Sequence, residues 1–214
     1  MRLPKWTLLV CVLATVIFLV PALKDTMIYD RDAIISGQWW RLITGNLVHL
    51  SLMHFTYDAL ALLVIGTAAE IGGVRYLWLV YATAAIVIGC AVFIASPELR
   101  FFGGLSGIVS ATLVYLCLWG IRTGVWRSFF FLVLVLAFVK IGLEFLLGES
   151  FLSATEHQPF IPSPVSHLAG AATGVLVFLQ VWLYSNSREI ISPTTARIRL
   201  VWRLRKKLKS SNCM

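Results

Sequence analysis

The sequence predicts an all-α membrane protein with six transmembrane helices. Three observations predict this class: 59% of the 214 residues are hydrophobic, only 13% are charged, and the mean hydropathy is +0.85. A soluble domain of this length needs far more polar surface. Six apolar stretches are long enough, or nearly so, to cross a hydrocarbon core, which takes about 20 helical residues. They lie near residues 6–23, 42–66, 76–96, 106–121, 128–147 and 165–184.

Residues 1–185 are expected to form one membrane domain, and residues 186–214 a basic cytoplasmic tail. The first stretch follows two positive charges as a signal peptide does, but no Ala-x-Ala type cleavage site follows Pro21, so we expect a retained anchor. In the tail, basic residues alternate with apolar ones such as Trp202 and Leu204. Such a segment beside a span favours contact with anionic lipid over nucleic acid.

The distribution of positive charge predicts the orientation, because loops rich in Lys and Arg stay in the cytoplasm. Thirteen of the 18 Lys and Arg residues fall on the side of the two termini, four fall on the opposite side, and Lys140 lies within a span. Both termini are therefore expected in the cytoplasm. Spans two, four and six then start at the outer face, and the candidate catalytic residues lie near those starts: His49, His54, Asp58, Ser106 and His167.

A serine and a histidine at the outer ends of two spans suggest a nucleophile and its base. A serine hydroxyl is a weak nucleophile until a neighbouring base takes its proton, and neutral histidine suits that task near neutral pH. Ser106 begins the fourth predicted span, and His167 lies three residues into the sixth. The free N–H groups at the helix start would face a developing oxyanion. We therefore predict a Ser106–His167 dyad in a polar pocket to which His49 and His54 contribute.

Four glycines near these residues predict close backbone approaches. Gly104 and Gly107 flank the serine and permit a tight loop before the helix. Gly170 and Gly174 follow the histidine at i+3 and i+7 on one helical face, and small residues spaced by four let membrane helices approach closely. We expect this contact to bring the histidine within hydrogen-bond reach of the serine, with Ser110 serving the same contact.

Each of these features also has a structural explanation. A Gly-x-Ser-Gly run in a membrane helix usually serves packing, and a histidine at the end of a span is often an interfacial residue. Lys140 and Glu144 stand at i and i+4 in the fifth span, and we interpret them as a structural ion pair rather than a catalytic one. The conjunction of Ser106 and His167 on one side of the membrane favours catalysis.

Taken together, the motifs resemble those of the rhomboid intramembrane serine proteases, over about residues 38–185. Members of that family carry a Gly-x-Ser-Gly serine at the start of the fourth helix, a histidine followed by small residues in the sixth, a histidine-rich second helix and a Trp-Arg element in the first outer loop. The corresponding residues here are Gly104-Leu105-Ser106-Gly107, His167 with Gly170 and Gly174, His49 to Asp58, and Trp40-Arg41.

The resemblance implies a six-helix rhomboid-like bundle that cleaves a membrane-anchored protein in or near its transmembrane segment, without metal or cofactor. It implies Ser106 as nucleophile, His167 as general base and His54 as an oxyanion ligand. Asp58 stands where the family usually has asparagine, and an ionised carboxylate would repel an oxyanion. Asp58 is therefore protonated, bonded to His54 one turn above it, or without a catalytic role. Ser110 stands where a tyrosine often packs on the histidine, so His167 must be held in some other way.

Within the family, the compact length and the Lys140–Glu144 pair are most similar to the rhombosortases, small bacterial rhomboids. That similarity implies a bacterial inner membrane, an active site facing the periplasm, and substrates with a Gly-Gly-containing C-terminal sorting tail. The principal alternative is a proteolytically inactive rhomboid-like protein that binds transmembrane clients. A transporter or channel is a weaker alternative, because the sequence shows no internal repeat between its halves.

Overall fold

The computed structural model of the chain describes residues 3–124, 126–147 and 163–191, with side chains as far as residue 186. Within these ranges the chain forms nine α-helices, one 3-10 turn (Gly45–Leu47) and one pair of two-residue strands. The helices are α1 (Lys5–Leu19), α2 (Pro21–Met27), α3 (Arg31–Ile35), α4 (Arg41–Thr44), α5 (Leu52–Ile71), α6 (Leu77–Ala95), α7 (Ser106–Thr123), α8 (Arg127–Leu147) and α9 (Pro164–Ile191). The strands are β1 (Tyr29–Asp30) and β2 (Phe101–Phe102), which pair antiparallel.

Helices α5 to α9 are each long and apolar enough to cross a membrane, and α1 with α2 forms a sixth candidate that is bent by 108°. The bend corrects the predicted single span 6–23. Pro21 opens α2, and Val20 before it adopts an extended conformation (φ −112°, ψ 99°), as a residue preceding proline prefers. Helix α1 alone has 15 residues, or roughly 22 Å at the helical rise.

The second predicted span, 42–66, is also corrected. The chain first makes α4 and the 3-10 turn, and the long helix α5 begins only at Leu52. Ser51 caps it by accepting the backbone N–H of His54 at 3.2 Å. His49 therefore lies before the helix rather than within the first half of a span. The buried Asn46 amide donates to the carbonyl of Ala85 on α6 at 2.9 Å, which attaches the turn to the bundle.

The segment between α2 and α4 is held by a buried arginine. Arg41 donates from Nη1 to the carbonyls of Asp25 and Ile28 at 3.0 and 2.8 Å. Its Nε donates to Gln38 Oε1 at 2.7 Å. The neighbouring Trp40 side chain remains exposed, as an interfacial tryptophan would be. Arg41 of the Trp-Arg element thus anchors the segment between α2 and α4.

Helix α7 lies among three long helices, because it packs against α5, α6 and α8. Tyr115 of α7 is buried, and its hydroxyl donates to the carbonyl of Arg75 at 2.7 Å. Helix α8 has a different character, since only Ile141 and Glu144 of its 21 residues are buried. Ile141 belongs to an apolar cluster with Val114 of α7 and Ala171 of α9.

The chain divides into two compact units, residues 1–177 and 178–214. All the candidate site residues lie in the first unit. In the second, α9 continues through Ile191, seven residues past the predicted end of the sixth span. Within it the Ser185 hydroxyl donates to the carbonyl of Val181 one turn earlier, at 2.8 Å. The predicted basic tail beyond residue 191 lies outside the described residues.

Candidate active site

Ser106 is the first residue of α7, directly after a tight glycine loop. Gly104 in that loop has φ +136°, and a Cβ built there would lie 2.7 Å from His54 Cε1 and 3.2 Å from Asp58 Oδ2. Only glycine fits, because both the backbone conformation and the space exclude a side chain. The close approach brings the start of α7 against the start of α5, and Ser106 remains partly exposed.

The first turn of α7 presents backbone donors beside the serine. The N–H of Leu105 points at His49 Nε2, 3.3 Å away. The next N–H groups, of Ser106 and Gly107, belong to the turn that has no carbonyl partner within a helix. They carry the positive end of the helix dipole. This arrangement can stabilise a negative oxygen that forms next to the serine.

Asp58 lies between two histidines. Its Oδ2 is 3.2 Å from Nε2 of His49 and 3.2 Å from Nε2 of His54. Of the three possibilities drawn from the sequence, the structure therefore shows a contact with His54, and it adds His49. The two rings stand edge to face with centroids 5.1 Å apart. Asp58 thus fixes the histidine that faces the glycine loop.

The contacts of His49 depend on its tautomer. Its Nε2 faces both the N–H of Leu105 and the carboxylate of Asp58. A lone pair on Nε2 can accept from Leu105, whereas a proton on Nε2 can be donated to Asp58. The other ring nitrogen, Nδ1, is buried without a hydrogen-bond partner in the described part of the chain. The tautomer of His49 therefore depends on whether Nε2 accepts from Leu105 or donates to Asp58.

The same cluster could hold a metal ion. His49, His54 and Asp58 each offer one donor atom, and these atoms lie within 4.8 Å of one another. Two imidazoles and one carboxylate suit a divalent transition metal such as Zn²⁺. The hydrogen bonds between the three side chains already account for their arrangement, so the site fits a metal without requiring one.

Helices α7 and α9 meet backbone to backbone, as the glycine pattern predicted. A Cβ on Gly170 would overlap the carbonyl of Gly107, and one on Gly174 would lie 2.5 Å from the carbonyl of Ala111. A Cβ on Gly107 would lie 2.9 Å from the carbonyl of Ser166. The residue after the serine thus contacts the residue before His167. Both candidates consequently lie at the same end of this helix pair.

Ser110 does not make the contact expected of it. Its hydroxyl donates within α7 to the carbonyl of Ser106 at 2.9 Å, and the small residue opposite Gly174 is Ala111. Serine in a membrane helix satisfies its hydroxyl through the preceding turn. The spacing on α9 identified the correct face, whereas the partner on α7 is offset by one residue.

His167 is held by Glu144, a residue that sequence reasoning assigned to a structural ion pair. His167 Nδ1 lies 2.6 Å from Glu144 Oε2, and the two residues are 5% and 0% exposed. The other carboxylate oxygen, Oε1, accepts from Lys140 Nζ at 2.6 Å. The predicted pair exists, and it extends to the histidine. Two features of the sequence could have indicated this contact. One is an acidic residue within a predicted span, and the other is the serine at position 110, where a tyrosine often packs on the histidine.

Ser106 and His167 are the candidate nucleophile and base. The described residues show no hydrogen bond between them, and the ring of His167 contacts Glu144 through Nδ1. Catalytic hydrogen bonds are often long before substrate binds and shorten in the complex. Because Nδ1 contacts Glu144, Nε2 is the ring nitrogen left to act as a base.

Comparison with known proteins decides the family. The family model of the Rhomboid domain matches residues 36–184. The chain belongs to the rhomboid family. It is therefore an integral membrane protein with a rhomboid-like helical bundle, and the six-helix expectation agrees with the five or six membrane-spanning helices of this rhomboid.

Two relatives of this rhomboid come from Bacillus subtilis (strain 168). Rhomboid protease GluP is 39% identical over 70 residues, which are 32% of this chain and 14% of GluP. YdcA, also named for the rhomboid proteases, is 30% identical over 88 residues, which are 40% of this chain and 44% of YdcA. The matched parts cover less than half of either relative.

Proposed function

We propose that this rhomboid is an intramembrane serine endopeptidase in which Ser106 is the nucleophile and His167 the general base. The observation that carries the proposal is the packing of the start of α9 on the start of α7. Gly107 contacts Ser166 and Gly170 there, so the serine is adjacent to Gly107 and the histidine is adjacent to Ser166. A side chain at either glycine would separate them.

The reaction that this arrangement supports has two halves. Ser106 Oγ attacks the scissile carbonyl while its proton passes to His167 Nε2, which forms a tetrahedral intermediate with a negative oxygen. The first-turn N–H groups of α7 and the imidazole of His54 stabilise that oxygen. The intermediate then expels the leaving amine, which takes the proton from His167. Water attacks the acyl-serine in the second half, with His167 again as base.

His54 donates best when its Nε2 carries a proton. Asp58 Oδ2 lies 3.2 Å from that atom, so the carboxylate favours the protonated nitrogen and orients the ring. In the transition state the same proton can turn to the oxyanion. This role differs from direct oxyanion binding by Asp58, which its charge opposes. His49 supports Asp58 from the other side.

The proposed substrate is a membrane-anchored protein cleaved in or near its transmembrane segment. The site lies at the starts of α5, α7 and α9, which the distribution of Lys and Arg assigns to the outer side, with both termini cytoplasmic. In a bacterial inner membrane that side is the periplasm. A Gly-Gly-type sorting tail is part of the proposal through the resemblance to the rhombosortases. No nucleic acid is expected as a partner.

The test is labelling of the detergent-purified protein with a fluorophosphonate probe, alongside S106A and H167A. Labelling of the wild type that is lost in both variants would demonstrate an activated serine. A folded wild type that does not react would instead favour a client-binding protein without catalysis. Thermal unfolding of all three proteins controls for the fold.

A further inference from the structure

We propose that Glu144 is a positioning residue that converts the Ser106–His167 dyad into a Ser-His-Glu triad. The inference rests on the proposed function, because Glu144 acts only through His167. The sequence alone pairs Glu144 with Lys140 as a structural element. The contact between Glu144 and His167 gives the carboxylate a second task.

The geometry is that of a carboxylate that fixes a histidine tautomer. The separation of 2.6 Å between His167 Nδ1 and Glu144 Oε2 is short even for a charge-assisted hydrogen bond. With Nδ1 donating to the carboxylate, the proton of neutral imidazole resides on Nδ1 and the lone pair on Nε2. Nε2 is the nitrogen that must accept the serine proton. Glu144 therefore holds His167 in the reactive tautomer.

The burial of Glu144 indicates that its contact with α9 is specific. Glu144 is one of two buried residues on α8, and its side chain is fully enclosed whereas that of Lys140 is 42% exposed. A pair with Lys140 alone, one turn away on the same helix, does not require the carboxylate to face α9. The acid instead faces α9.

The ion pair with Lys140 offsets part of the free-energy cost of burying the Glu144 carboxylate. Each carboxylate oxygen has its own partner, Oε1 with Lys140 and Oε2 with His167. With neutral imidazole, the carboxylate and the ammonium cancel, so the resting site carries no net charge. When His167 takes the serine proton, the adjacent carboxylate stabilises the imidazolium and stays ionised. No proton needs to pass to Glu144.

The experiment measures fluorophosphonate labelling over a range of probe concentrations, which separates the maximal labelling rate from the half-saturating concentration. E144Q keeps the size and one acceptor but loses the charge, and E144L loses both. We expect the maximal rate to fall about 10- to 100-fold in E144Q and about 10²- to 10⁴-fold in E144L. The half-saturating concentration should stay within about threefold, because Glu144 does not touch the probe.

The chain offers a matched control in E70Q. Glu70 at the end of α5 accepts the Thr7 N–H and hydroxyl at 2.7 and 2.8 Å, so the same change removes a hydrogen-bonded carboxylate away from the serine. We expect E70Q to label at the wild-type rate. E144Q or E144L labelling at that rate would overturn the proposal. E144L removes one partner of the Lys140–Glu144 pair and is expected to be less stable than E144Q, which keeps an acceptor for Lys140. Thermal unfolding measures both variants, and E144Q carries the test if E144L does not fold.

A second measurement keeps this inference separate from the proposed function. In protein with ¹⁵N-labelled histidine, NMR at high pH reports which ring nitrogen of His167 carries the proton, with H167A assigning the signals. Protonation on Nδ1 in the wild type, changed in E144L, would support the inference even for a protein that does not react with the probe. Protonation on Nε2 in the wild type would overturn it.

Discussion

Asp58 differs from the asparagine usual at this position in the family, and its contacts indicate a different role. An ionised acid next to an oxyanion is unfavourable, yet here its Oδ2 contacts the Nε2 atoms of both His49 and His54. The carboxylate thus acts on the histidines rather than on the substrate. Because both contacts use the same oxygen, a single carbonyl oxygen at that position can accept both.

This geometry makes a graded prediction for Asp58. D58N should label with fluorophosphonate within about fivefold of the wild-type rate, because the amide oxygen can accept from both histidines. D58L should fall by about 10- to 100-fold, because it removes the acceptor that orients His54 and leaves the buried side of the cluster without a polar partner. If D58N lost as much rate as D58L, the negative charge rather than the hydrogen bond would be the essential property.

For single residues, the sequence indicates which side chains are candidates for the site better than it indicates which side chains contact one another. Ser106, His167, His54 and Asp58 could be chosen from the sequence because ionisable and nucleophilic groups are costly in a membrane. The contact between Glu144 and His167 joins residues 23 positions apart on two helices. No local spacing reveals it, since it depends on how α8 is rotated against α9.

At the scale of elements, the contact between α7 and α9 depends on missing side chains. The two backbones approach at Gly107 and Gly170 so closely that a Cβ on Gly170 has no space. Sequence spacing could predict this contact because both periodicity and residue size are local properties. It could not predict that α5 starts at Leu52, because hydropathy does not register the turn that precedes Ser51.

The contact predicts opposite effects for two glycine-to-alanine substitutions. G170A should lower stability by about 1–3 kcal/mol and reduce fluorophosphonate labelling at least about tenfold, because the added methyl group pushes the histidine helix from the serine helix. G142A on α8 is the matched control, since nothing lies within 4 Å of its added Cβ. It should keep full labelling and gain about 0.5–1 kcal/mol from helix propensity.

Thermal unfolding in detergent and labelling rates together measure both effects. Equal behaviour of G170A and G142A would mean that the two helices can separate without loss. The close approach would then not be what positions the histidine.

At the scale of the whole molecule, orientation decides where substrate meets the serine. The charge count predicts that the starts of α5, α7 and α9 face the outer side, and the contacts of Gly104 and Gly107 bring those three starts together. The order of the spans could predict that these three starts lie together, because alternate spans run in the same direction. The bend of 108° between α1 and α2 could not be predicted from an apolar run.

The orientation can be tested with single cysteines in a background without the four native ones. A cysteine at position 36, which is exposed before α4, should react with a membrane-impermeant maleimide on intact cells. One at position 190 should react only after the cells are opened. The reverse pattern would place the serine on the cytoplasmic side. Equal labelling before and after opening would show that the reagent enters the cells.

Most of the surface of α8 is not covered by other helices, yet the helix places Glu144 in contact with His167. Of its 21 residues only Ile141 and Glu144 are buried, so most substitutions along it meet lipid rather than protein. Hydrophobic residues of different shape can replace one another there with little effect on packing. A sequence family built on this arrangement would therefore vary freely along α8 while retaining the acid, and the fifth span could adapt to bilayers of different composition without altering the chemistry.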